Sequence, residues 1–157
     1  MAKVRTLSRK FPTTHPRCGE DTLFVEQVLN SLGINYKSDN YLETLLELNY
    51  NNLNNGKLSY DDLVLFHKSL DSYCNTNKHH TCRGGNHFKR GSEISLRVWK
   101  NRPYHECQII IAPEMKVIDT WDIHITTCSY CRFQVTEPIN GDKNNAYLLP
   151  NGEVAAN

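Results

Sequence analysis

Lys78, Thr81 and Arg83 set an amine, a hydroxyl and a guanidinium within six residues, in the pattern K-x-x-T-x-R. His87, Lys89 and Arg90 follow closely. Each side chain has a definite chemistry. The planar fork of Arg83 matches a phosphate or a base edge. Lys78 is a point charge for phosphate; desolvated and neutral, it would instead be a base. Thr81 beside a neutral amine would be a nucleophile. The plain alternatives are solvated surface charge for Lys78 and Arg83 and, for Thr81, a hydroxyl bonded to backbone at a turn or strand end.

A second set lies just downstream. Arg97, Trp99 and Tyr104 interleave a cation with aromatic rings, a combination that serves phosphates and unstacked bases together. Trp99 and Tyr104 flank the turn-like run Lys100, Asn101, Arg102, Pro103, which favours exposure. Trp121 falls in an alternating apolar set and is expected in the core. Cys128 and Cys131 form one C-x-x-C with His124 upstream. That is half of a zinc site unless His105 or Cys107 completes it; two thiols at a hairpin turn are the simpler expectation, and no metal or other cofactor is assigned. Cys82 beside His80 would make a thiol–imidazole pair, but no orienting acid is evident.

These residues need elements to position them. Val4 and Leu7 suggest a short first strand within residues 3–11, ended by Pro12. Three amphipathic helices follow. In the first, about 21–32, Phe24, Val25, Val28, Leu29 and Leu32 share a face and Gly33 is the stop. The second starts near Ser38 and carries Leu42, Leu45, Leu46 and Tyr50 at helical spacing. The third begins at Ser59, with Asp62 three residues on as a weaker capping-box variant, and turns Leu63, Phe66 and Leu70 inward. Residues 51–56, rich in Asn, read as a loop. From about residue 75 the period becomes two. Ile94, Leu96 and Val98 alternate with Ser95, Arg97 and Trp99; residues 107–112 suit a buried strand; 115–127 and 131–135 alternate again. The tail after Gly141 is polar, and residues 150–157 are expected to fray.

Charge is distributed unevenly. The net charge is +1, with 39% hydrophobic and 22% charged residues, an ordinary globular composition that argues against a disordered or collagenous chain. Residues 76–104 nevertheless hold seven Lys or Arg against Glu93 alone, whereas residues 18–73 hold nine acids against three lysines. A basic segment attracts phosphate even on a neutral protein, unless it simply faces the acidic one. No apolar targeting segment opens the sequence and no run reaches membrane-span length, so a cytoplasmic protein with reduced thiols and no membrane partner is expected.

The segment 77–91 resembles the opening of an ASCH domain, whose K-x-x-T-x-R is matched by Lys78, Thr81 and Arg83. The H-F-K-x-G of His87, Phe88, Lys89 and Gly91 is similar to the turn into that family's second strand. Arg97, Val98, Trp99 and the pair Pro103, Tyr104 resemble a phage and prophage subgroup. The likeness covers roughly residues 75–127. It implies a small PUA-like β-barrel; the helical segment, about residues 13–74, is not part of the minimal ASCH module, and the expected whole is an α+β fold in one domain spanning 1–157, with a three-helix insert 13–74 packed on a barrel core 75–149 and a flexible tail 150–157. It implies a protein that binds RNA or a nucleotide through Lys78, Arg83, His87, Lys89, Arg90, Arg97, Trp99 and Tyr104. The alternative it implies is a small amidohydrolase acting on N4-acetylcytidine or a related acylated pyrimidine, with Lys78, Thr81 and a downstream glutamate. Of Glu106, Glu114 and Glu137, Glu137 has the closest separation. A third expectation is a phage-type accessory protein whose helices, within residues 20–73, engage a host protein.

Overall fold

The computed structural model describes residues 2–78, 88–118, 121–125, 133–138, 146–148 and 154–156, the last four segments as backbone only. The protein is mixed α+β, and its chain divides into two compact units, Met1–Thr81 with Glu93–Met115, and Cys82–Ser92 with Lys116–Asn157.

In the first unit, β1 (Lys3–Thr6) runs parallel to β2 (Glu93–Trp99), which pairs antiparallel with β3 (Gln108–Ile110). Four helices precede β2 among the described residues: α1 (Phe24–Ser31), α2 (Asn40–Leu48), α3 (Tyr50–Asn54) and α4 (Tyr60–Lys68). The alternation read in residues 94–99 is real: Leu96 and Val98 are buried with Ile109, Ile111 and Ala112 against Val25, Leu29, Tyr41, Leu45, Leu63 and Phe66 of the helices. The helical layer and this sheet therefore share one core.

The local signals act as expected at two helix ends. Gly33, at φ 68°, follows α1, its N–H bonding Asn30 O while Ile34 N–H bonds Leu29 O. This is the paired geometry of a Schellman stop, and Leu29 and Ile34 pack in the same core. At α4 the Ser59 hydroxyl accepts from Asp62 N–H at 3.2 Å, and the Asp62 carboxylate accepts from Ser59 N–H at 2.8 Å, a full capping box.

The expected loop at 51–56 is a correction. Residues 50–54 form α3, so the helical layer has four members rather than three. The break between α2 and α3 falls at Asn49, which is buried. Its amide nitrogen donates to Leu45 O and to Ile110 O, both at 2.9 Å, and its amide oxygen accepts from Ile110 N–H at 2.9 Å. Asn49 thus pairs with the outer backbone edge of β3 as a further strand would, and Asn52 reaches Gln108 O beside it. The edge is covered by side-chain amides, which satisfies groups that would otherwise be buried without partners.

In the second unit, residues 91–92 bond Val117: Gly91 N–H to Val117 O and Val117 N–H to Ser92 O, each 2.8 Å. The short β4 (Met115–Lys116) lies where the two units meet in sequence. Beyond it, β5 (Trp121–Ile125), β6 (Phe133–Pro138), β7 (Ala146–Leu148) and β8 (Val154–Ala156) form an antiparallel sheet in sequence order, with a register shift at Asp122/Ile123. The alternating run 115–127 is therefore two strands, and Val154–Ala156, in the tail expected to fray, is a third hairpin arm. The described strands fall into two sheets, and closure into a barrel is not among their pairings.

Candidate nucleic-acid interface

The first unit carries an open groove of about 570 Å³ at the outer end of the β2–β3 hairpin. Its floor comes from the hairpin: Arg97, Trp99, Cys107 and Gln108. One wall is the hairpin loop, with His105 and Glu106; the other is Asn52 of α3 and Lys57 just after it. The alternation of β2 explains the floor. Leu96 and Val98 face the helices, so Arg97 and Trp99 leave the opposite face.

The loop is held in shape by bonds at its base. Lys100 N–H donates to Cys107 O at 3.0 Å, and Asn101 Nδ2 donates to Glu106 Oε2 at 2.8 Å. The Lys100 ammonium meets Asp62 Oδ2 at 2.8 Å, tying the loop to the N-terminus of α4. Burial pushes the Asp62 carboxyl up, but the bonds from Lys100 and Ser59 outweigh it and hold the group below its ordinary value. The same bond to Asp62 raises Lys100, against the opposing effect of burial.

Tyr104 sits at φ 66°, a left-handed conformation that costs an aromatic residue about 1–3 kcal/mol. Its side chain is exposed, and its ring lies 5.3 Å from that of Trp99 at 49°. The strained loop thus extends the Trp99 surface into a two-ring platform. Arg97 donates Nε to Ser95 Oγ at 3.1 Å, which orients the guanidinium and uses one of its five N–H groups. Lys57 and Arg97 line the groove together with Glu106, two basic side chains against one acidic. The arrangement can hold a phosphate by fork and point charge and a base by stacking.

Of the expected binding residues, the groove gathers Arg97 and Trp99, with the Tyr104 ring tilted against the latter. Lys78 lies elsewhere in the same unit. Its N–H bonds Gln27 O and Ser31 Oγ, strapping residues 74–78 along α1 together with Asn30, which donates to Cys74 O and Thr76 O. The Lys78 ammonium rests 4.3 Å from the centroid of the Phe24 ring. Lys89 and Arg90 are exposed in a turn of the second unit, closed by Ser92 N–H to Lys89 O. Thr81, Arg83, His87, Cys82, Cys128 and Cys131 lie outside the described residues, and Glu137 and Trp121 are described as backbone of β6 and β5. Among the described residues no group of His, Cys, Asp and Glu could hold a metal ion, and no helix is long and apolar enough to cross a membrane.

Asn52, Lys57, His105 and Gln108 belong to the groove and were not among the expected binding residues. A sequence signal existed for one of them: if Trp99 ends a strand and residues 100–107 are the turn, Gln108 is the residue opposite. Asn52 and Lys57 arrive from α3 and its end, and only tertiary packing puts them there.

No protein-family model, curated protein or solved structure matches the chain.

Proposed function

We propose that the protein binds single-stranded RNA or a nucleotide in the β2–β3 groove. Arg97 and Lys57 hold phosphate, and the Trp99–Tyr104 platform stacks the base. The observation that carries this is the convergence of a guanidinium, an ammonium and an indole on one open groove, with the exposed Tyr104 ring beside the indole. Its size is within the range of small-ligand clefts. The ASCH resemblance of residues 77–91, and the PUA-like barrel it implies, belong to the same proposal. So do the contacts through Arg83, His87, Lys89 and Arg90.

The test is anisotropy of a labelled single-stranded RNA across a salt series. Affinity should fall as salt rises, and Arg97→Ala and Lys57→Ala should each reduce the slope of log affinity against log salt by about 0.7, the value for one single-strand phosphate contact. Trp99→Ala should weaken binding by roughly 1–3 kcal/mol with the fold intact. Absence of binding at low salt, or indifference to all three changes, overturns the proposal.

A further inference from the structure

We propose that the groove discriminates between bases, preferring adenine to uracil, and that Gln108 is the residue that reads the base. The inference rests on the RNA reading above. Trp99 and Gln108 are direct partners in the β2–β3 register. The neighbouring pair, Lys100 and Cys107, carries the ladder bond, as does Ile111 N–H to Leu96 O. Trp99 and Gln108 therefore form a non-hydrogen-bonded pair, the kind that brings opposed side chains closest. A base lying on the Trp99 ring has its edge at the Gln108 amide.

That amide is available. The Gln108 backbone carbonyl accepts from Asn52, but among the described residues its side-chain nitrogen and oxygen have no hydrogen-bond partner, and the residue lines the groove. A primary amide offers a donor and an acceptor in one plane. Adenine presents the complement, an exocyclic amine beside a ring nitrogen, and Gln or Asn against adenine is a recurrent bidentate match.

Glu106 decides against uracil. One carboxylate oxygen is bonded by Asn101, and the group lies on the same groove. A carboxylate only accepts. It can take a proton from the amine of adenine or, less extensively stacked, of cytosine. It repels the two carbonyl oxygens that flank the single N3–H donor of the uracil edge. The same charge weakens phosphate binding, so its place beside Lys57 and Arg97 makes sense as a base contact rather than a backbone contact.

The experiment uses the full chain with labelled six-nucleotide oligo(A), oligo(C) and oligo(U) at one low salt concentration. Oligo(A) should bind about tenfold tighter than oligo(U), with oligo(C) between them. Gln108→Leu, close in volume and without the amide, should bring the A-to-U ratio near one, with circular dichroism confirming the fold. Glu106→Gln, which keeps shape and removes the charge, should narrow the ratio severalfold even if the Gln108 variant unfolds. Equal affinity for oligo(A) and oligo(U) in the unaltered chain overturns the inference. A ratio that survives both substitutions also overturns it, since stacking alone would then explain the preference. In both cases the RNA reading stands. Binding of none of the three removes that reading and this inference together.

Discussion

Along the β2–β3 hairpin, neighbouring residues face different surroundings. Leu96, Val98, Ile109 and Ile111 are buried under the helices. Arg97, Trp99 and Gln108, one residue out of step, line a groove open to solvent. The inner face is uniformly apolar and packed; the outer carries a cation, an indole and an amide whose polar atoms remain accessible. The strand period of two sets the two groups on opposite faces, although Ser95, on the face of Arg97 and Trp99, is buried as well. Stability and recognition can therefore be tested one residue apart.

The largest expected contrast is between Ile109 and Gln108. Ile109 is 2% exposed, so Ile109→Ala should cost about 2–5 kcal/mol through lost burial and the cavity left behind. Gln108→Ala, at the next position, should change stability by about 0.5 kcal/mol or less, since its side chain supports no internal bond. Urea unfolding of both variants reads the difference, and Ile109→Val, expected to cost about 0.5–1.5 kcal/mol, keeps the comparison measurable if the first variant does not fold. Similar losses at the two sites would show that the outer face is also part of the core.

A second contrast lies at the β3 edge. Asn49 serves backbone atoms of Ile110 with both ends of its amide. Asn49→Ala should leave the buried N–H and C=O of Ile110 unpaired and cost about 2 kcal/mol, with faster hydrogen exchange at the Ile110 amide than at Val98. Asn49→Asp separates the two bonds, because a carboxylate can accept from Ile110 N–H but cannot donate to Ile110 O. If Asn49→Ala leaves Ile110 exchange unchanged, the edge is protected by something other than this amide.

How much of this was legible in the sequence follows the range of the interactions. The Gly33 stop and the Ser59–Asp62 box are complete within a few residues, and both were visible from residue types and spacing. The alternation of β2 was visible because one face is apolar throughout. Residues 51–56 read as a loop because asparagines favour turns, and 51–54 are helical instead. Their helical form sits beside Asn49, whose side chain bonds a residue 61 positions away. Strand periodicity shows that strands exist but not which of them pair, so the two sheets could not be told from a single barrel. At the groove, Arg97, Trp99 and Tyr104 were marked by their chemistry. Asn52 and Lys57 were not, because they come from the helical layer and only packing places them there.

The smallest expected effect concerns the link between the hairpin loop and the helical layer, where Asp62 of the capping box also holds Lys100 at the base of that loop. The folded protein holds the Asp62 carboxyl below its ordinary pKa, so the group gives up its proton more readily than in the unfolded chain. Its contribution is therefore fully present above the ordinary aspartate range near pH 4 and is lost as pH falls through the lowered folded value. Lys100 is shifted upward, so its contribution is present below the ordinary lysine range and is lost only as pH rises through its raised value. Between those limits the pair is intact. Both side chains retain some solvent contact, 31% for Lys100 and 15% for Asp62, which places the pair at about 1 kcal/mol or below. Asp62→Asn keeps an oxygen for Ser59 N–H while removing the charge, so it isolates the ion pair from the cap. Stability measured from about pH 6 to pH 3 should fall less steeply in this variant than in the unaltered chain. Looser anchoring of Lys100 should also weaken RNA binding slightly, because the loop that presents Tyr104 to Trp99 is fixed there. An unchanged acid limb would mean that Asp62 contributes through the cap alone, and the stability of α4 and the shape of the groove would then be independent.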